Sequence, residues 1–415
     1  MKKKILISSL LLAICFACTD DYLDFNPEDQ IEAVNFFQTP EDALAATNAI
    51  YSNLRSWEVA AFASFVPSIA SDDADKGSTP GDASFFNDIN DYSFTSTAFV
   101  INDYWIGQWR GVNLANQVIT NVPAITMDES AKTSYIAQAR FLRALHYFNL
   151  VRTFGGVPIY DGLPADKNYN IPRNSVEEVY TFLIEDLTFA GENLPANYTG
   201  GDIGKATRGA AKSYLAKVYL YQQNWAQTLA LTDEVMGMGY DLLPNYYSVF
   251  RIANENSIES IFEAQASFVD GNCTISNSQY SQTQGAPGFG WGFNVPSEDL
   301  ANAFEAGDVR RDATILFAGE TTPEGDVIST TGSQPDYNQK SYVPSSQIGP
   351  GCNEGSEQNI RLMRFSEVLL MNAEAANELG NTAQALSSLN RVRNRAGLGF
   401  PARSPRSRSC HRLRR

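Results

Sequence analysis

Apolar positions recur at helical spacing in several long stretches of the chain, and polar residues that start and stop helices flank them. Thr39-Pro40-Glu41-Asp42 supplies a capping hydroxyl, a proline at the first helical position and acids in the first turn. The helix it opens places Leu44, Thr47, Ile50, Tyr51 and Leu54 on one face. A long helix is predicted from about Glu129 to Phe154, with Ile136, Leu142, Leu145 and Phe148 in its apolar stripe and Gly155-Gly156 and Pro158 as its stop. Ser175 with Glu178 makes a capping box, and Val176, Val179, Leu183, Leu187 and Ala190 share the inward face until Leu194-Pro195 ends the run.

Two further segments predict helix hairpins of the tetratricopeptide type. In the first, helices over Ala210–Gln222 and Trp225–Met236 flank a turn at Asn224; in the second, Phe365–Leu379 and Thr382–Arg395 flank Gly380-Asn381. Ala226-Gln227-Thr228-Leu229 aligns with Ala383-Gln384-Ala385-Leu386, 157 residues further on. That spacing excludes a tandem solenoid with a period near ~34 residues. Each hairpin needs a neighbour to cover its open face, so the expected fold is mainly α with little β structure, a helical scaffold interrupted by large insertions.

The first residues change the picture from fold to address. Lys2, Lys3 and Lys4 precede an apolar run from Ile5 to Ala17, which reads as a secretory signal over residues 1–17. Ala17 places a small side chain before Cys18, the pattern of a bacterial lipoprotein whose cysteine becomes the lipidated first residue; bulky Ile14 disfavours Cys15 for that part. An anchor of more than one acyl chain holds a protein stably on a membrane, and no other apolar stretch reaches 18 residues. Cys273 and Cys352 stand in Gly/Asn-rich segments, and in an oxidising compartment both pairing and free thiols are open to them.

Charge and composition narrow the chemistry. The 415 residues carry a net −16, but three Lys fall in the first 17 residues and six Arg in the last 13, leaving 22 basic against 47 acidic side chains between them. Such a surface repels phosphate backbones, so no nucleic-acid partner is expected. The two histidines, His146 and His411, leave almost no room for a His-based metal site or a Ser-His-Asp triad. Gly204-Lys205-Ala206-Thr207 fails as a phosphate loop, because Thr199 replaces the first glycine and Ala206 the metal-ligating hydroxyl. Gly288, Gly290 and Gly292 lack the strand-to-helix setting of a dinucleotide site, and neither metal nor cofactor is expected.

The insertions hold what remains. Between Ser56 and Arg110, eleven aromatic residues, Trp57, Phe85 and Phe86 among them, stand amid seven Asp, including Asp72, Asp73 and Asp82; from about Gly271 to Val295, Tyr280, Phe289, Trp291 and Phe293 stand among Gly, Asn, Ser and Gln. A flat ring lies against the C–H face of a sugar while neighbouring amides, acids and guanidinium groups bond its hydroxyls. Most of these rings are expected to pack the insertions onto the helices. Trp57 and Trp291 are the expected exceptions, since each falls in an insertion rather than on a helical stripe, with Asp72, Asp73 and Tyr280 as further ligand-binding candidates. Asp72 and Asp73 also offer the paired carboxylates of a glycosidase, the less favoured reading because such enzymes set their acids by fold rather than by adjacency.

The stretch AQARFLRALHYFNLVRTFGGVP, residues 137 to 158, resembles the signature helix of SusD/RagB-type outer-membrane lipoproteins of the Bacteroidetes group. CTDDYLDFNPED from Cys18, KATRGAAKSYLAKVYLYQQNWAQTLALTDEV from Lys205, PSEDLANAFEAGDVRRD from Pro296 and RFSEVLLMNAEAANELGNTAQALSSLNRVRNRAG from Arg364 extend the resemblance in the family's order. It implies one SusD-like nutrient-binding domain over residues 18–402, with tetratricopeptide-type units as scaffold and a loop-rich half bearing the ligand site. It also implies a cell-surface lipoprotein that captures oligosaccharide or polysaccharide for a SusC-like TonB-dependent transporter, without catalysing a reaction. Peptides or another nutrient on the same scaffold are the alternative. The family pattern stops near Leu398, where about another hundred residues would complete the fold, and the Arg-rich stretch 403–415 reads as a non-native basic tail.

Overall fold

The computed structural model describes residues 36–164, 168–267, 278–332, 334–349 and 356–399. The signal segment, Cys18, Cys273, Cys352 and the basic tail lie outside the described residues.

Helix α1 (Pro40–Leu54) starts as its sequence dictates: Thr39 Oγ1 accepts from the Asp42 N–H and the Asp42 carboxylate accepts from the Thr39 N–H. A first insertion follows, holding α2 (Trp57–Ser64), α3 (Val66–Ile69), β1 (Ala74–Gly77) and α4 (Phe85–Asn90). The scaffold resumes with α5 (Phe99–Asn121), α6 (Glu129–Phe154), α7 (Val176–Asn193), α8 (Arg208–Tyr221) and α9 (Trp225–Met236). A second, longer insertion carries β2 (Ser260–Ala264), α10 (Gln279–Gln284), β3 (Phe293–Pro296), α11 (Glu298–Ala303), β4 (Ile315–Phe317), β5 (Asp336–Asn338) and β6 (Ile360–Arg364). The chain then re-enters the scaffold with α12 (Phe365–Glu378) and α13 (Thr382–Arg395).

Each scaffold helix packs on the next, and α9 packs on α12, so the two hairpins that lie far apart in sequence are adjacent in space. Buried Asn372 joins them. Its Nδ2 donates to Thr232 Oγ1 at 3.0 Å and Asp233 Oδ1 at 2.8 Å, while its Oδ1 accepts from Ser388 at 2.6 Å. The strands are short and pair two by two, β1 with β3, β2 with β6 and β4 with β5, all antiparallel.

Helix α6 is the centre of the scaffold. The sequence stripe understates it, because nearly every residue from Ala137 to Val151 is buried, Arg143 and His146 included. Arg143 makes a bidentate pair with Asp186 of α7 at 2.7 and 2.9 Å, reaches Asn116 of α5 at 2.7 Å and lies over the Phe182 ring. His146 Nδ1 bonds Gln108 Oε1 at 2.7 Å, and burial pushes its pKa down to about 4. Gly111 lets α5 pass this close: a Cβ there would meet His146 Nε2 at 2.1 Å. His146 is thus a neutral core residue.

Candidate functional site

The two insertions meet through a ribbon. β1 pairs with β3 in the register Ala74↔Pro296, Asp75↔Val295 and Gly77↔Phe293, and Gly77 adopts φ +73° with Gly292 O where a Cβ would stand. The pairing brings Phe293 into a cluster with Phe65 and Phe86, at ring separations of 6.3 and 5.7 Å. This cluster is the floor of the site.

Trp57 and Trp291 stand over that floor and line one cleft of about 430 Å³ with Asp82, Ala83, Phe85, Phe86 and Phe293. They differ in how they are held. Trp57 opens α2 rather than sitting in an irregular loop, and its half-buried ring packs at 6.3 Å from both Phe65 and Phe86. Trp291 is 43 % exposed, fixed through its backbone N–H to Gln282 O. One ring is a wall set in the core and the other a free face, and the Asp82 carboxylate, already taking the Ser78 hydroxyl at 2.6 Å, adds an acceptor. An apolar floor with two rings and a carboxylate suits a sugar ring: C–H faces against the aromatics, hydroxyls toward Asp82.

Asp73 and Tyr280 belong to a second cavity of about 270 Å³, on the side of the ribbon marked by Ala74, Asn294 and Pro296. Gln284 Oε1 there accepts from Asn294 at 2.6 Å and Asn338 at 2.9 Å. Burial pushes the Tyr280 hydroxyl up to about 12, so it serves as a neutral donor. Asp72 is exposed, and its carbonyl accepts from Ser297 Oγ at 2.5 Å, pinning the start of α11 to the ribbon. Of the two adjacent acids, Asp73 is the one that lines this cavity. Trp105 and Trp109, counted in the first insertion by composition, lie on α5 instead and pack as a pair at 5.4 Å.

Asp82, Phe85 and Phe293 line the cleft as well, and the local signal for them in the sequence is the Phe85-Phe86 pair near Asp82. A larger groove of about 820 Å³ lies between the first insertion and α5, α6 and α8, lined by Val59, Ile89, Tyr104, Leu145, Phe148 and Tyr214. Scaffold helices and the first insertion wall it together, and Asn149, Arg152 and Lys217 supply its polar groups.

Residues 21–220 match a family model described as starch-binding, associating with the outer membrane, and residues 258–400 match the SusD family model. A SusD-like protein of Bacteroides ovatus is 30 % identical over 95 % of this chain and 76 % of its own length. The chain belongs to the SusD family. SusD-like protein P2 of Formosa agariphila is 29 % identical over 98 % of this chain and 84 % of that one. Among solved structures, a laminarin-binding SusD-like protein superimposes with a TM-score of 0.79 at 28 % identity, covering 90 % of this chain and 88 % of the other. The helical scaffold with short strands is the SusD fold. Among the described residues, no helix is long and apolar enough to cross a membrane.

Proposed function

We propose that this SusD-family protein captures a glycan at the cell surface, in the cleft between Trp57 and Trp291, and passes it to a SusC-like TonB-dependent transporter in the outer membrane. One observation carries the reading: two tryptophans from insertions far apart in sequence share a single cleft, and one of them presents an exposed ring. The laminarin-binding relative supports a β-glucan as the first ligand to try. Residues 18–402 act as one nutrient-binding domain, held to the outer membrane by lipid on Cys18, and the protein binds its ligand without cleaving it. Isothermal calorimetry against laminarin and a panel of neutral polysaccharides tests this, with Trp57→Ala and Trp291→Ala as controls. Binding of at least one glycan, weakened in both variants, is expected. Absence of binding across the panel, or sugar release abolished by Asp73→Ala, refutes it.

A further inference from the structure

Beyond the ribbon, Tyr280 and Lys340 line both the Asp73 cavity and a third one of about 220 Å³, whose other walls include Phe250, Gln358, Arg361 and Arg364. That volume is roughly seven waters at ~30 Å³ each, enough for a charged substituent and part of a sugar ring. Three cations around one small cavity are unusual in a chain of net −16.

Their partners are unequal. Arg361 is held by Glu255 at 3.0 Å and Glu263 at 3.6 Å, and Arg364 by Glu259 at 2.9 Å. Glu259 is shared, since Arg395 also reaches it at 2.8 Å. Among the described residues, no carboxylate forms an ion pair with half-buried Lys340, whose Nζ lies 5.4 Å from the centroid of the Phe250 ring. Burial pushes the Glu255 carboxyl up to about 7, so near neutrality it offsets Arg361 only in part. The surplus positive field is felt next door: burial would raise the Tyr246 hydroxyl, yet Lys340, Arg364, Arg395 and Arg310 together bring it below its ordinary value. A half-buried ammonium beside two guanidinium groups favours an oxyanion over water.

We propose that the cavity at Lys340, Arg361 and Arg364 is an oxyanion subsite that takes the carboxylate or sulfate group of an acidic saccharide. The sugar ring then extends past Tyr280 toward Asn294, Asn338 and Gln284, with its charge kept away from Asp73. A single anionic group fits; a polyanionic backbone would meet the acidic surface outside. The oxyanion half of the inference rests on these charges alone, and the saccharide half rests on the glycan-capture reading.

Calorimetric titrations of the whole protein with glucuronate, glucose 6-sulfate and glucose at low salt separate the two oxyanions from a neutral control. One or both acidic sugars should bind about tenfold or more tighter than glucose, with Lys340→Met removing that advantage and added NaCl weakening it. Lys340→Gln provides a second variant if Lys340→Met unfolds, judged by far-UV circular dichroism. Equal affinity for all three sugars, or an acidic-sugar affinity unchanged in a folded Lys340 variant, overturns the subsite. Laminarin binding lost on Trp291→Ala would survive that result, so the two readings fail separately.

Discussion

Truncating Trp291 to Ala tests glycan capture with the least disturbance to the fold. The residue is 43 % exposed, and a tryptophan side chain offers about 150–250 Å² in all, so about 65–110 Å² is available to a ligand. At about 25 cal/mol per Å², covering all of it is worth about 1.6–2.7 kcal/mol, and covering one face about half as much. A loss of about 1–2.5 kcal/mol is about 5- to 70-fold in Kd. Stability should change by only about 0.5 kcal/mol, because the backbone bond to Gln282 persists in alanine and the exposed ring supports little else. Calorimetry against laminarin, run beside urea unfolding, measures both. A Kd unchanged within twofold for any glycan the wild type binds would refute the stacking argument. Trp57→Ala serves as the contrast: its ring packs on Phe65 and Phe86, so binding and stability should fall together.

Two further substitutions probe the buried polar core of α6. Arg143→Met leaves the Asp186 carboxylate buried without its bidentate partner and should cost about 3–5 kcal/mol by urea unfolding; adding Asp186→Leu should recover most of it. His146 sits at about 4 in the folded protein against 6.5 ordinarily, so the unfolded chain takes up a proton that the folded chain refuses. Its contribution is present above pH 6.5 and is lost as pH falls toward 4, at about 1.4 kcal/mol per unit. The stability difference between pH 7 and pH 5 should therefore be about 2 kcal/mol smaller in His146→Gln than in wild type, and an unchanged difference would remove the assignment.

What could be read from the sequence follows from how local the causes are. The capping boxes at Thr39 and Ser175 and the turns at Asn224 and Asn381 act within a few residues, and the helices begin where they say. Arg143 and His146 are core residues whose partners, Asp186 and Gln108, lie 43 and 38 residues away, and no periodicity shows that. Trp57 and Trp291 stood out by composition, but their sharing of a cleft depends on β1 and β3. These are strands of only four residues, too short for alternation to register. Lys340 carries no local signal either; its setting is made by Phe250, Arg361 and Arg364, brought in from other segments.

The join at Asn372 bears on how such a chain can hold a large insertion without losing its core. Residues 237–364 leave the scaffold after α9 and return at α12, which packs directly on α9, so the helices form one stack whatever the insertion contains. Asn372 fastens the junction through Thr232, Asp233 and Ser388, none of which lines the tryptophan cleft. Asn372→Ala deprives Thr232, Asp233 and Ser388, and more distantly Gln384 at 3.5 Å, of one buried amide, and at about 1 kcal/mol for each short bond it should cost about 2–3 kcal/mol of stability. Glycan affinity measured well below the melting temperature should be unchanged, since the cleft is built on β1, β3 and the Phe65–Phe86–Phe293 cluster. If Asn372→Ala weakens glycan binding in a protein shown to be folded, the insertion leans on the hairpin junction, and scaffold and site are one mechanical unit.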